Sequence, residues 1–160
     1  MKEIYTIREA VKKLEHYCAY QDRCHQEVIS KLWEMQLDEN EKQEVIAQLI
    51  NDKFLNEERF ARSFARGKHR IKHWGKNRIT NELKMKGINQ TLIKIALKEI
   101  EEEYDENFDQ WTERFWELLF ENNKLKKRKK FCDYFLRRGF ESFLIYDKVT
   151  QLEKGEGNEN

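Results

Sequence analysis

Cationic side chains are concentrated in two segments of this sequence, and they are its main candidates for binding a ligand. Residues 62–78 contain seven Arg or Lys and no acidic residue, and residues 124–130 contain six basic residues. Arg62, Arg66 and Arg70 are each four residues apart, so on a helix they form one stripe. Grouped cations can contact phosphates, with an affinity that depends on salt, or an acidic protein surface. The alternative is that they form solvated helix faces.

We predict that cations of these two segments bind a protein partner or DNA, together with two arginines that follow the second segment. They are Arg62, Arg66, Lys68, Arg70, Lys72, Lys76, Arg78, Lys126, Lys127, Arg128, Lys129, Lys130, Arg137 and Arg138. Trp74 could stack on a base or a partner, although packing into the core is the simpler interpretation. Acidic residues gather instead in residues 99–106, and the net charge is only +1. This segregation of charge bears on partners rather than on fold.

No arrangement of residues indicates an enzyme, a cofactor or a metal site. The sequence contains no Gly-rich phosphate loop, nucleophile elbow or Walker signature. The two Cys and two His within residues 16–25 match no common zinc motif. His69 and His73 could share a metal from one helix face, but the sequence shows no third ligand. We therefore expect no catalytic residue, no metal ligand and no cofactor.

The element that must position these cations is an internal repeat of about fifty residues. Its anchors are Gly139, Gly87 and Gln36, which are spaced by 52 and 51 residues. Apolar residues recur eight and four positions before each anchor and one, ten and thirteen positions after it. The aligned sets are Val28/Ile79/Phe131, Leu32/Leu83/Phe135, Leu37/Ile88/Phe140, Ile46/Leu97/Val149 and Leu49/Ile100/Leu152. Each anchor is predicted to end a helix in the left-handed conformation.

Each copy is predicted to contain three helices, and the sequence has no proline to interrupt them. The predicted helices lie near 6–20, 22–35, 38–52, 56–73, 76–86, 89–103, 105–122, 125–138 and 141–152. Asp38 and Asn89 are the predicted N-caps of two of them. The fold class is therefore all-α: three tandem three-helix repeats forming an elongated or curved array. The repeats are residues 1–53, 54–104 and 105–153, followed by a flexible tail, 154–160.

The remaining features of the composition favour a cytoplasmic protein, and we expect it to be a monomer. Three cysteines at irregular spacing do not suggest a disulfide framework. Residues 1–13 contain no apolar run resembling a signal peptide. No window approaches eighteen uninterrupted apolar residues, so we expect no membrane span.

The second copy resembles the RecX family. The residues that carry the resemblance are Leu55-Asn-Glu-Glu-Arg-Phe-Ala, then Arg66, then Gly75-Lys-Asn-Arg-Ile-Thr-Asn-Glu-Leu, then Gly87-Ile88. The first copy is similar in its Ala10-x-x-x-Leu14 and Val45-Ile46-x-x-Leu49 segments. The resemblance covers about residues 8–150. The sequence departs from the family at residues 22–28 and in its unusually aromatic and basic third copy.

The resemblance implies a regulator of the RecA recombinase. Members of the family bind RecA and the RecA–DNA filament, lie in the filament groove, and suppress ATP hydrolysis and strand exchange, which connects them to recombination, DNA repair and the SOS response. The partners so implied are RecA, its filament with DNA, and DNA itself. The basic residues leave a second interpretation open, a helical-repeat protein that binds nucleic acid and has no role with RecA.

Overall fold

The computed structural model describes residues 5–157, and this part of the chain is built from helices. It contains nine α-helices, one 3-10 helix (Trp33–Met35) and no strand. The α-helices are α1 (Ile7–Tyr20), α2 (His25–Leu32), α3 (Glu39–Asn51), α4 (Glu57–Lys72), α5 (Lys76–Met85), α6 (Gln90–Lys98), α7 (Glu101–Leu118), α8 (Lys124–Arg137) and α9 (Ser142–Gly157). The prediction of an all-α fold is confirmed. Over residues 5–157, every helix is too short or too polar to cross a membrane.

The predicted N-caps start their helices. The Asp38 carboxylate accepts a hydrogen bond from the Glu41 N–H at 2.8 Å, and the Glu41 carboxylate accepts one from the Asp38 N–H at 3.1 Å. This reciprocal pair satisfies two backbone donors that the first turn of α3 leaves open. Asn89 Oδ1 likewise accepts from the Leu92 N–H at 2.9 Å, ahead of α6. Both caps are confirmed.

The three repeat anchors all adopt the left-handed backbone conformation, as predicted. The φ angle is +52° at Gln36, +79° at Gly87 and +92° at Gly139. Glycine takes this conformation at little cost, whereas at Gln36 the Cβ imposes a steric penalty. The apolar residues eight and four before each anchor and one after it are all buried. They are Val28, Leu32, Leu37, Ile79, Leu83, Ile88, Phe131, Phe135 and Phe140.

One compact unit consists of residues 5–63 and 83–96 of the described chain and has an aliphatic core. There α1 packs on α3, and α2 packs on both. Its buried cluster comprises Ala10, Val11, Leu14, Cys18, Val28, Leu32, Met35, Leu37, Val45, Leu49 and Leu55. Arg59 secures the start of α4, because its Nε donates to the Asp22 carboxylate at 2.7 Å and its remaining N–H groups donate to the carbonyls of Lys53 and Phe54.

The other unit consists of residues 64–82 and 97–157 of the described chain and has an aromatic core. In it α7 packs on α8 and α9, and α8 packs on α9. Centroids of the Phe108 and Phe140 rings are 5.1 Å apart, and those of Phe131 and Phe135 are 4.9 Å apart. Tilted and edge-to-face contacts of this kind add to the stability that burial provides. This unit holds the candidate site described below.

Some helix boundaries differ from the prediction. α2 begins at His25, because Cys24 is still extended. A break at Ile100 (φ −112°, ψ 1°) separates α6 from α7, earlier than the sequence pattern indicates. α9 continues to Gly157, so the segment predicted as a tail begins as helix, and residues 158–160 lie outside the described part. The boundaries of the three repeats stay a prediction.

Candidate basic interface

The turn between α4 and α5, residues 73–75, is the centre of the candidate site. His73 has a φ of +59°, and its N–H donates to the His69 carbonyl at 3.0 Å. The Trp74 N–H donates to the Lys68 carbonyl at 3.1 Å. These bonds satisfy carbonyls that the last turn of α4 leaves open. They also fix the backbone of Trp74 close to the end of the helix.

The turn between α8 and α9 packs directly on the α4–α5 turn. The Gly75 N–H donates to the Arg138 carbonyl at 2.7 Å, and the Asn77 N–H donates to the Gly139 carbonyl at 2.9 Å. A Cβ atom on Gly75 would stand only 2.4 Å from the Gly139 carbonyl oxygen. Only glycine permits this approach of two backbones. The C-terminal end of α8 is therefore held beside the end of α4.

Six of the predicted cations lie at or within a few residues of these two turns, and we call them the Trp74 cluster. They are Lys68, Lys72, Lys76, Arg78, Arg137 and Arg138. The guanidinium carbon of Arg78 lies 4.1 Å from the centroid of the Trp74 ring, and the Lys68 ammonium lies 5.0 Å from it. Trp74 is half-buried, with its ring edge-on to Phe64 at 6.2 Å. One indole thus contacts two cations through the attraction of its π-face for positive charge.

Backbone carbonyls hold two of the three arginines of the cluster in place. Arg78 Nη1 donates to the Arg137 carbonyl at 3.2 Å, and Arg138 Nη1 donates to the Lys72 carbonyl at 2.6 Å. Each guanidinium has five N–H donors, so these bonds leave donors that can face a ligand. Side-chain entropy lost on binding is smaller for cations that are already held.

The six cations of the Trp74 cluster form no ion pair with a carboxylate of the described residues. Between residues 5 and 157, no carboxylate oxygen lies within 4.0 Å of a charged nitrogen of its six cations. Anions such as phosphates are the ligands that a concentration of this kind attracts. The cluster therefore differs from the other predicted cations of the described chain, most of which are paired with a carboxylate.

The predicted stripe of Arg62, Arg66 and Arg70 is instead paired with acid. The pairs are Arg62 with Glu58 at 3.7 Å, Arg66 with Glu99 at 3.3 Å and Arg70 with Glu103 at 2.7 Å. Partly exposed pairs of this kind stabilise a fold by about 0–1 kcal/mol each. They do cancel the charge of the stripe locally. Its part in binding stays a prediction.

The second basic segment is also largely paired. Ion pairs join Lys127 to Glu156 at 2.7 Å, Arg128 to Glu153, Lys129 to Asp133 at 2.6 Å and Lys130 to Glu121 at 2.6 Å. Lys126 is exposed. Arg137 and Arg138 contact α4 and α5, whereas no such contact in the described chain involves residues 126–130. Their role in binding stays a prediction as well.

A buried histidine supports the turn from beneath. His69 is fully buried, its Nδ1 lies 2.8 Å from the Trp74 carbonyl, and its Nε2 lies 3.1 Å from the Asn107 amide nitrogen. These partners assign the neutral form in which Nδ1–H donates to Trp74 and Nε2 accepts from Asn107. Burial lowers the pKa of His69, with smaller opposing effects from the bond to Trp74 and from Glu103. Both ring nitrogens of His69 are therefore occupied by hydrogen bonds within the protein.

Tyr104, Asn107 and Glu141 position the site, and the sequence analysis did not identify them. The Tyr104 hydroxyl donates to the Glu141 carboxylate at 2.5 Å and accepts from the Lys76 N–H at 3.0 Å. Burial raises the pKa of Tyr104, and the bond to Glu141 raises that pKa further. The repeat alignment places Glu141 where the earlier copies have an N-cap. That signal could not indicate a partner so distant in sequence.

The described residues show no metal-binding group. No three His, Cys, Asp or Glu side chains between residues 5 and 157 are arranged to hold an ion. Cys18, Cys24 and Cys132 are buried free thiols, and burial raises the pKa of each. A high thiol pKa disfavours the reactive thiolate.

Residues 56–97 match a family described as RecX, second three-helix domain. The chain is 25% identical over 149 residues to the regulatory protein RecX of Bacillus cytotoxicus, covering 92% of this chain and 55% of that protein. It thus spans about half the length of that relative. The regulatory protein RecX of Prosthecochloris aestuarii is 25% identical over 146 residues, with 91% of this chain and 94% of that protein covered.

The fold is that of a solved structure with a similar sequence. The crystal structure of RecX from Lactobacillus salivarius superimposes with a TM-score of 0.73 and 25% identity, covering 91% of this chain and 94% of that one. The relatives agree in being named regulatory proteins.

Proposed function

This chain belongs to the RecX family of regulatory proteins, and we propose that it binds RecA on DNA and inhibits its ATP hydrolysis and strand exchange. It acts in the cytoplasm by occupying a surface of the RecA–DNA filament, and it catalyses no reaction of its own. The observation that carries the proposal is the Trp74 cluster, with six cations and no compensating carboxylate in the described chain. A RecA–DNA filament offers such a surface an array of phosphates together with protein.

Several modest contacts add up in this mechanism. Each exposed cation contributes little alone, but cations held on one rigid surface engage their ligands together. Charge attraction of this kind weakens as salt rises, because bound counterions are released on binding. Inhibition is therefore expected to fall with salt concentration.

The proposal is tested by measuring ATP hydrolysis by RecA on single-stranded DNA while this protein is titrated, at several salt concentrations. We expect hydrolysis to decrease with added protein, and the concentration needed to rise with salt. Hydrolysis that stays unchanged at protein concentrations that saturate binding to the DNA would contradict the proposal.

The second candidate is a nucleic-acid-binding protein with no role with RecA, which the same six cations favour. The two functions differ in what RecA does to binding. A filament regulator binds labelled single-stranded DNA more tightly after RecA has coated it, whereas a nucleic-acid binder only competes with RecA for the strand. Affinities measured with and without RecA separate them.

A further inference from the structure

Trp74 is the shared contact of two cations that come from different helices. Lys68 belongs to α4 and Arg78 to α5, yet both charged groups lie within 5.0 Å of the centroid of the Trp74 ring. The turn that carries Trp74 is itself held by Gly75 against Arg138 and by His69 from below. The ring therefore has a fixed place, and the two cations converge on it.

An aromatic residue at this position could stack on a base or could hold cations. Two cations already lie over the ring of Trp74. A base can stack only on an open face. The Arg78 guanidinium at 4.1 Å and the Lys68 ammonium at 5.0 Å already interact with this indole. Holding these two cations is the role that fits the observed contacts.

We propose that Trp74 is a positioning residue that presents Lys68 and Arg78 to neighbouring phosphates of a DNA strand. This assignment rests on the proposed function, because it names the DNA, rather than RecA, as the ligand of the Trp74 cluster. DNA supplies one negative charge at every phosphate. The six cations have no carboxylate within ion-pair distance in the described chain. An acidic protein surface would therefore need several clustered carboxylates to match them.

The structure offers a matched control for the role of Trp74. Trp33, exposed in the other unit, has the Lys42 ammonium 4.0 Å from its ring centroid. Lys42 is also paired with Glu39 at 3.3 Å, so this second tryptophan–lysine contact presents no uncompensated charge. Replacing Trp33 removes a similar contact without touching the cluster.

The test measures the affinity of the full chain for labelled single-stranded and duplex DNA, without RecA, across a salt series. We expect Trp74→Leu to weaken binding about five- to tenfold, because the variant lacks the cation–π interaction that orders two cations. The slope of log affinity against log salt should become shallower by about 0.7 on single strands, and by about 0.9 on duplex, for each phosphate that the variant no longer engages. Trp74→Phe, which keeps a flat ring, should stay within about twofold of wild type, since phenylalanine also binds cations. Trp33→Leu should match wild type.

An unchanged affinity and salt slope in folded Trp74→Leu would overturn the proposal. Loss of binding to RecA-coated DNA with unchanged binding to bare DNA would also overturn it, because the cluster would then face an acidic protein. If Trp74→Leu fails to fold by circular dichroism, Arg78→Gln takes its place, and unchanged DNA affinity in that variant rejects the assignment. DNA binding that depends on Trp74 with no effect on RecA would instead reject the proposed function alone.

Discussion

At the scale of single residues, His69 shows how a buried group supports a surface site. It is fully buried, and its two ring nitrogens bond to the Trp74 carbonyl and to Asn107. Adding a proton would place a charge among aromatic rings, since Tyr104 and Trp111 lie 5.3 and 4.9 Å away between centroids. It would also destroy the acceptor that Asn107 uses. The neutral imidazole is therefore part of the fold.

This predicts a loss of stability in mild acid. Because burial lowers the pKa of His69 in the folded protein, the unfolded chain binds the proton more readily. The stability that neutral His69 contributes is fully present above the unfolded-state pKa of about 6.5, and it is lost as the pH falls below that value. The pKa of His73 is lowered too, by burial and by nearby Arg138, and acts in the same direction. The urea midpoint of unfolding should drop between about pH 7.5 and about pH 5.5, the range that spans this pKa.

Two variants separate His69 from the other histidines in that measurement. His69→Phe should be less stable than wild type at the higher pH and should lose less on acidification. His16 is exposed, so His16→Gln should keep the pH dependence of wild type. A His69→Phe protein with the full loss in acid would show that this imidazole is not the group that titrates.

The sequence shows which residues are cations, but it does not show which of them are paired with acidic residues in the fold. Arg66 and Arg70 belong to the predicted stripe, and the acidic segment that includes Glu99 and Glu103 was also evident. The structure brings the two together at 3.3 and 2.7 Å. Pairing at a separation of 33 residues depends on tertiary packing, which local spacing does not encode. For the same reason the hydrogen bond between Tyr104 and Glu141 could not be predicted.

At the scale of elements, local signals were strong enough to predict the helices and several of their ends. Asp38 and Asn89 cap their helices through residues three positions on, and the anchors Gln36, Gly87 and Gly139 take positive φ. These interactions lie within a few residues of each other, so sequence spacing determines them. The contact between the α4–α5 and α8–α9 turns joins residues far apart in sequence and could not be predicted this way.

That contact predicts opposite effects for two glycine substitutions. Gly75→Ala would place a Cβ 2.4 Å from the Gly139 carbonyl oxygen, so the turns must separate, at a cost of roughly 1–3 kcal/mol. Gly67 lies within α4 with nothing within 4 Å of an added Cβ. Gly67→Ala should therefore leave stability unchanged or raise it by up to about 1 kcal/mol, because alanine favours helix.

Urea unfolding of both variants checks this, and DNA affinity of the Gly75→Ala protein gives a second readout. We expect it to bind DNA more weakly even where it is folded, because the turns that assemble the Trp74 cluster are displaced. Equal stability of Gly75→Ala and Gly67→Ala would mean that the two turns are not in close contact in solution.

At the scale of the whole molecule, net charge is a poor guide to binding. The formal charge is +1, yet six cations form the uncompensated Trp74 cluster while other basic residues are neutralised by acids. Attraction at short range depends on this local excess, since salt screens charges more than about 10 Å apart. Both proposals therefore depend on where the positive charge lies and not on how much there is.

The most direct test of the account removes charge from the cluster without disturbing its structure. The side chains of Lys72 and Arg137 are exposed, and only their backbone carbonyls hold other cluster residues. Lys98 and Lys154, exposed and outside the cluster, provide a control with the same change of net charge. The measurement is inhibition of ATP hydrolysis by RecA on single-stranded DNA. We expect the protein with Lys72→Gln and Arg137→Gln to inhibit only at much higher concentration, and the protein with Lys98→Gln and Lys154→Gln to inhibit like wild type. Equal inhibition by the two double variants would contradict the account.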